Sequence, residues 1–91
     1  MISQSYYAYI LYSFKDRKLY LGSTSNLKQR LKQHNTGQVA STEDRRPLKL
    51  IHYEYFINKA DALAREKYLK SGYGHDQLNS FLQRTMKSLI H

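Results

Sequence analysis

The run Tyr-Tyr-Ala-Tyr-Ile-Leu-Tyr, from Tyr6 to Tyr12, is the most restrictive stretch of the chain. Aromatic and branched side chains at that density suit a pleated, mostly buried strand. A polar segment, Ser13 to Lys18, separates it from a shorter apolar run, Leu19-Tyr20-Leu21-Gly22. That separation is hairpin-like, so the two strands should pair antiparallel. Ser23-Thr24-Ser25-Asn26 offers N-cap side chains, and Leu27 and Leu31 stand four apart beyond it. The spacing predicts a helix from about Asn26 to Thr36, closed by Gly37. Residues 38–47, which hold Ser41-Thr42-Glu43-Asp44-Arg45-Arg46-Pro47, have no period and read as a mobile surface loop.

Alternation returns from Leu48 to Ile57 and predicts a third strand. It sets Ile51, Tyr53 and Tyr55 on one face and Leu50, His52, Glu54 and Phe56 on the other. Asn58 with Asp61 three residues on starts a second helix, whose apolar stripe is Ala60, Leu63, Ala64 and Tyr68. Gly72 and Gly74 should end it near Ser71. A third helix is expected from about Asp76, carried by Leu78, Phe81, Leu82, Thr85 and Leu89, with a fraying last turn. The order is ββαβαα, an α+β layer with a small three-stranded antiparallel sheet flanked by three helices. Ninety-one residues supply one hydrophobic core, so residues 1–91 are read as a single domain with its core at about 5–85.

Charge and composition narrow the partners. Lys+Arg 15 against Asp+Glu 7 gives a formal charge of +8, which points to a polyanion. The absence of Cys removes a disulfide scaffold, a Cys-based zinc site and a thiol nucleophile together. No signal-peptide pattern and no run near the length of a membrane span occurs, so a soluble, cytoplasmic protein with no membrane partner is expected. Phosphate-loop, dinucleotide, zincin and serine-hydrolase motifs are missing. Two-metal phosphoryl chemistry needs more clustered carboxylates than seven scattered acids provide. The nine tyrosines are an excess of phenols that the core alone does not explain.

Several polar groups stand where apolar ones would suffice. Tyr9 lies in the first strand and Tyr20 in the second, while Arg30 and His34 are one turn apart beside the Leu27/Leu31 stripe. Glu66 is three residues from both Leu63 and Leu69. An edge carboxylate, an edge arginine and two sheet phenols are thereby able to converge on one cleft. Around them lie basic clusters that include Lys28, Lys32, Arg45, Arg46, Lys67 and Lys70, suited to tracking a phosphate backbone. Each feature alone has an ordinary reading, as strand packing or as a solvated helix charge.

Taken in order, Tyr7-Ala8-Tyr9, Tyr20-Leu21-Gly22, Arg30 with His34 in Arg-Leu-Lys-Gln-His-Asn, and Glu66 in Ala-Arg-Glu-Lys-Tyr-Leu-Lys resemble the GIY-YIG nuclease superfamily over roughly residues 5–72. Within it, the whole chain is similar to the short stand-alone bacterial members, usually described as endonucleases. Tyr7-Ala8 stand where the family name has Gly-Ile, whereas Tyr9 and the Tyr and Gly of the second motif are kept. The resemblance implies metal-dependent hydrolysis of nucleic-acid phosphodiesters, DNA in the first instance, as in repair or recombination. It implies one Mg²⁺ or Mn²⁺ on Glu66, Arg30 against the phosphate, Tyr9 and Tyr20 positioning and deprotonating the attacking water, and His34 assisting. Which phenol is the base stays open. No reader of base sequence accompanies these motifs, so recognition of backbone or shape is expected, with a homodimer or a separate targeting protein left open. The alternative is a non-catalytic nucleic-acid-binding module on the same fold, its tyrosines stacking bases.

Overall fold

Hydrogen bonding along both edges accounts for the tyrosine-rich run. The computed structural model describes residues 4–90; His91, to which the sequence assigns no role, and both ends of the expected 1–91 domain lie outside the described residues. Strand β1, Tyr6–Ser13, pairs antiparallel with β2, Leu19–Thr24, on one side and with β3, Leu48–Phe56, on the other, giving the order β2-β1-β3. A central strand is covered on both faces, and every residue from Ala8 to Ser13 is buried.

The two faces pack different helices. Tyr9 and Leu11 join Leu48 and the half-buried Tyr20, Leu50, Leu27 and Leu31, the last two from helix α1, Leu27–Asn35. Ile10 and Leu21 face the other way, against Leu69, Leu78 and Leu82. These come from α2, Lys59–Lys70, from α3, Gly72–Phe81, and from the residue that leads into α4, Gln83–Ile90. The α+β class and the three-stranded sheet therefore stand as expected, with four helices in place of three.

Three local expectations are corrected. The third helix begins at Gly72, not near Asp76, and is interrupted at Leu82. Ser71 caps it by accepting the Gly74 N–H at 3.3 Å, so the two glycines lie inside α3 and do not close off the chain after α2. Gly74 is required by proximity: a Cβ there would lie 1.9 Å from the Tyr68 carbonyl oxygen, at the α2–α3 crossing. Gly74→Ala is expected to cost about 1–3 kcal/mol, because backbone must move to admit the methyl group. Urea unfolding of the variant against the parent chain measures it, and an unchanged midpoint would refute this packing account.

The second correction concerns α2, which buries Ala62 and Leu69 while Ala60, Leu63, Ala64 and Tyr68 are exposed. The stripe misleads because the half-buried positions between Ala62 and Leu69 include two charged residues, Arg65 and Glu66. Arg65 spans to Glu54 of β3 at 2.8 Å, and His52 reaches the same carboxylate at 2.9 Å. Burial alone would raise the Glu54 pKa, but these hydrogen bonds outweigh it and hold the carboxyl below its ordinary range. Third, a β-bulge opposite Ile10 and Leu11 breaks the alternation of β3. Ile51 consequently packs with the Ile10 face and Leu50 with the Tyr9 face, the reverse of strict alternation.

Among the described residues no helix is long and apolar enough to cross a membrane.

Candidate active site

Tyr9 sits directly opposite Gly22 in the β1–β2 register. The absence of a side chain at Gly22 is what seats the ring: a Cβ there would meet the Tyr9 hydroxyl oxygen at 2.6 Å and Cζ at 2.7 Å. The ring is 1% exposed, and its hydroxyl is 2.8 Å from His34 Nε2. His34 points inward from the last turn of α1. That turn is closed by Gly37 at φ +78°, with the Gly37 N–H bonded to the His34 carbonyl at 3.3 Å and the Gln38 N–H to the Gln33 carbonyl at 2.9 Å. The imidazole is fully buried, and its Nδ1 is 2.7 Å from Thr42 Oγ1.

The tautomer is assigned from the neighbouring hydrogen bonds. Thr42 directs its hydroxyl proton to the Val39 carbonyl at 3.5 Å, leaving its oxygen to accept from Nδ1–H. Nε2 is then unprotonated and accepts the Tyr9 phenol proton. Burial, and after it the Arg30 charge, push His34 down to about 4, so the ring is neutral at neutral pH. Burial raises the Tyr9 pKa, the Arg30 hydrogen bond and charge oppose that, and the Glu66 charge adds to the rise.

The other expected groups gather around this pair. Tyr20 is half-buried, its ring centroid 5.1 Å from that of His34 and 6.4 Å from that of Tyr9, and its hydroxyl accepts from Ser41 at 3.5 Å. Arg30 is half-buried and donates to Gln33 Oε1 at 3.2 Å while bearing on the Tyr9 phenol. It also lines a cleft of about 480 Å³ with Gln33, Ser23, Ser25 and Lys59, so one guanidinium faces both the buried phenol and open solvent. The Glu66 side chain is 19% exposed, and its Oε2 accepts from Lys70 Nζ at 2.7 Å. Among the described residues no three His, Asp or Glu side chains group to form a metal cage. One carboxylate, completed by waters and substrate oxygens, is nevertheless a donor set that suits a single Mg²⁺.

Of the basic residues, Arg45 serves the fold: it pairs with Asp16 at 2.6 Å and holds that carboxyl down to about 2. Arg46 donates to the Glu43 carbonyl at 2.9 Å and lies over Gly37, and Lys70 is committed to Glu66. Lys28, Lys32 and Lys67 are exposed and, among the described residues, form no ion pair.

The segment read as a mobile surface loop is instead part of the site's support. Val39 and Thr42 are buried, a 3₁₀ turn spans Glu43–Arg45, and Ser13 Oγ donates to the Arg45 carbonyl at 2.6 Å. Thr42 is the residue that sequence reasoning missed. A hydroxyl in an aperiodic polar stretch gives no periodic signal; the only hint is Val39, the one branched apolar side chain of that segment.

A central-strand phenol over a neighbouring glycine, with Arg and His of the first helix beside it and the charge of a second-helix Glu bearing on it, marks a GIY-YIG domain of the nuclease superfamily. The family model described as the GIY-YIG catalytic domain matches residues 5–79, and the chain belongs to this family. Its relatives include a UPF0213 protein of Clostridium perfringens, 42% identical over 82 residues that cover 89% of this chain and 87% of that one. A UPF0213 protein of Limosilactobacillus reuteri is 45% identical over 73 residues, covering 77% and 75%. The solution NMR structure of a UPF0213 protein from Bacillus halodurans superimposes with a TM-score of 0.54 at 32% identity, covering 85% of this chain and 84% of that one.

Proposed function

We propose that the protein is an endonuclease that hydrolyses nucleic-acid phosphodiester bonds, DNA in the first instance, using one Mg²⁺ or Mn²⁺ held by Glu66. The observation that carries this reading is the 2.8 Å contact between Tyr9 and a neutral, buried His34 with Arg30 alongside. One partner would satisfy a buried structural phenol; here the partner is an imidazole that can take up a proton and whose other nitrogen is held by Thr42.

Each side chain has a task that follows from its chemistry. The Arg30 fork takes non-bridging phosphate oxygens and offsets charge as it builds at phosphorus. Tyr20, nearer the surface, orients the attacking water. Tyr9 is the base: it accepts a proton from that water as its own passes to His34 Nε2. At rest this transfer is uphill, since burial raises the phenol pKa and lowers that of the imidazole to about 4. The proton therefore moves together with attack, when the incoming phosphate charge offsets Arg30 and raises the proton affinity of His34. Glu66, paired with Lys70 in the structure, would hold the ion, which when bound would supply positive charge to the phosphate oxygens. The domain carries no separate base-reading element among its described residues, and Lys28, Lys32 and Lys67 suit backbone contacts.

The test is incubation of the purified protein with plasmid, flap, junction and single-stranded substrates in Mg²⁺, Mn²⁺ or EDTA, beside Glu66→Ala and Arg30→Ala. Cleavage with metal alone, lost in both variants, is expected. Binding should weaken steeply between about 50 and 200 mM salt. Binding with no metal-dependent cleavage on any substrate would instead identify a non-catalytic module, a reading in which the Lys70–Glu66 ion pair is permanent.

A further inference from the structure

On the sheet face that carries Tyr9, strand β3 presents a second group of phenols. Tyr53 lies directly opposite Tyr9, and Tyr55 opposite Tyr7, in the β1–β3 register. Helix α1 covers the β1 side of this face through Leu27 and Leu31, while Tyr53 and Tyr55 each remain 53% exposed. Tyr7 contacts both rings edge-on, at centroid distances of 5.9 and 5.8 Å and interplanar angles of 62° and 64°. The two exposed rings are thus held in fixed orientations, which lowers the entropic cost of using them as a surface.

Beside them opens a recess of about 550 Å³ lined by Tyr7, Leu27, Lys28, Leu31 and Tyr53, with no carboxylate on its wall among the described residues. It shares Ser25 with the cleft that holds Arg30. A ligand is therefore able to pass without a break from the arginine to the tyrosines around the start of α1. Its occupant must have a flat face for the rings and negative charge for Lys28, in a chain of formal charge +8. A second copy of this chain has the same positive sign and fits poorly; a single nucleic-acid strand has both properties.

We propose that Tyr53 and Tyr55, braced by Tyr7, form a stacking site for unpaired nucleobases, so that the substrate is a nucleic acid with a single-stranded segment next to the scissile bond. The choice of nucleic acid as occupant rests on the nuclease reading. Base–aromatic stacking is tolerant of sequence, which agrees with recognition of structure. A fully paired duplex keeps its bases out of reach of the rings.

The test is fluorescence anisotropy in EDTA with a labelled oligothymidine and an abasic oligonucleotide of the same length and charge. The parent chain should prefer the oligothymidine. Tyr53→Ala and Tyr55→Ala should each weaken oligothymidine binding by roughly 5- to 150-fold and leave abasic binding unchanged. Tyr53→Phe should retain the preference and Tyr53→Leu lose it, because a ring face and not apolar area is required. Equal affinity for both oligonucleotides overturns the proposal, as does self-association abolished by Tyr53→Ala, which would make a second copy the occupant. Metal-dependent cleavage of duplex alongside equal affinities removes the stacking site and leaves the nuclease reading standing. Base preference without cleavage of any substrate does the reverse.

Discussion

Exchanging Tyr9 for Phe is expected to slow metal-dependent cleavage by about 10²- to 10⁴-fold, the range for loss of a positioned proton acceptor. The substitution is chosen because the ring still fills the space above Gly22, whose Cβ-free backbone the aromatic carbons contact. What disappears is the oxygen 2.8 Å from His34 Nε2. The loss should fall on kcat, with nucleic-acid affinity in EDTA unchanged, since a phenol under α1 does not hold the strand. Tyr20→Phe should cost less, because among the described residues the Tyr20 hydroxyl only accepts, from Ser41 at 3.5 Å, and has no acceptor for its own proton. Single-turnover rates of the two variants against the parent chain measure the difference. Full activity in Tyr9→Phe would transfer the role of base to Tyr20 or to water, and the buried relay would be left as packing.

Much of the frame behind that expectation was legible in the residue order. The strand pair, its tyrosines and the cap of α1 follow from local rules, in which each residue type reports on its own backbone. Tyr9, Tyr20, Arg30, His34 and Glu66 were singled out by the resemblance of their order and spacing to the GIY-YIG motifs, since each alone reads as strand packing or as a helix charge. Where reading by period failed, a long-range contact had overridden it. The true inner face of α2 has Arg65 and Glu66 at positions where a core helix would carry apolar residues, so a pattern search settles on the solvent side. The bulge at Ile51 shifts the phase of β3 by one residue and invalidates alternation beyond it. Gly72 and Gly74 read as helix breakers, whereas both lie inside α3 and the crossing over Tyr68 demands a residue without Cβ at Gly74 alone. Thr42 was illegible for a different reason. Its partner lies eight residues away on another element, and only the folded loop brings hydroxyl and imidazole together.

Acid unfolding offers a readout of that buried imidazole which needs no substrate. In the folded chain His34 stays neutral down to about 4, whereas an unfolded histidine titrates near its ordinary 6.5. Between those values the unfolded state binds the additional proton, so stability is fully present above pH ~6.5 and falls as the pH drops toward 4. By pH ~4.5 the loss attributable to His34 should be on the order of 2–3 kcal/mol, a large fraction of the margin of a small domain. Asp16 and Glu54 have lowered carboxyl pKa values, and their contributions fade mainly below this window. Urea unfolding at several pH values, for the parent chain and for His34→Gln, isolates the histidine: the variant should start less stable at pH 7 and lose correspondingly less on acidification. Thr42→Val supplies the complementary comparison. It leaves Nδ1–H without an acceptor, which costs about 1–3 kcal/mol at neutral pH, and it weakens the preference for the tautomer that leaves Nε2 free. Nitrogen chemical shifts of the His34 ring should report protonated Nδ1 in the parent chain and a mixture in Thr42→Val. Identical acid sensitivity in the parent and in His34→Gln would contradict a neutral, buried His34, and with it the proton path from Tyr9.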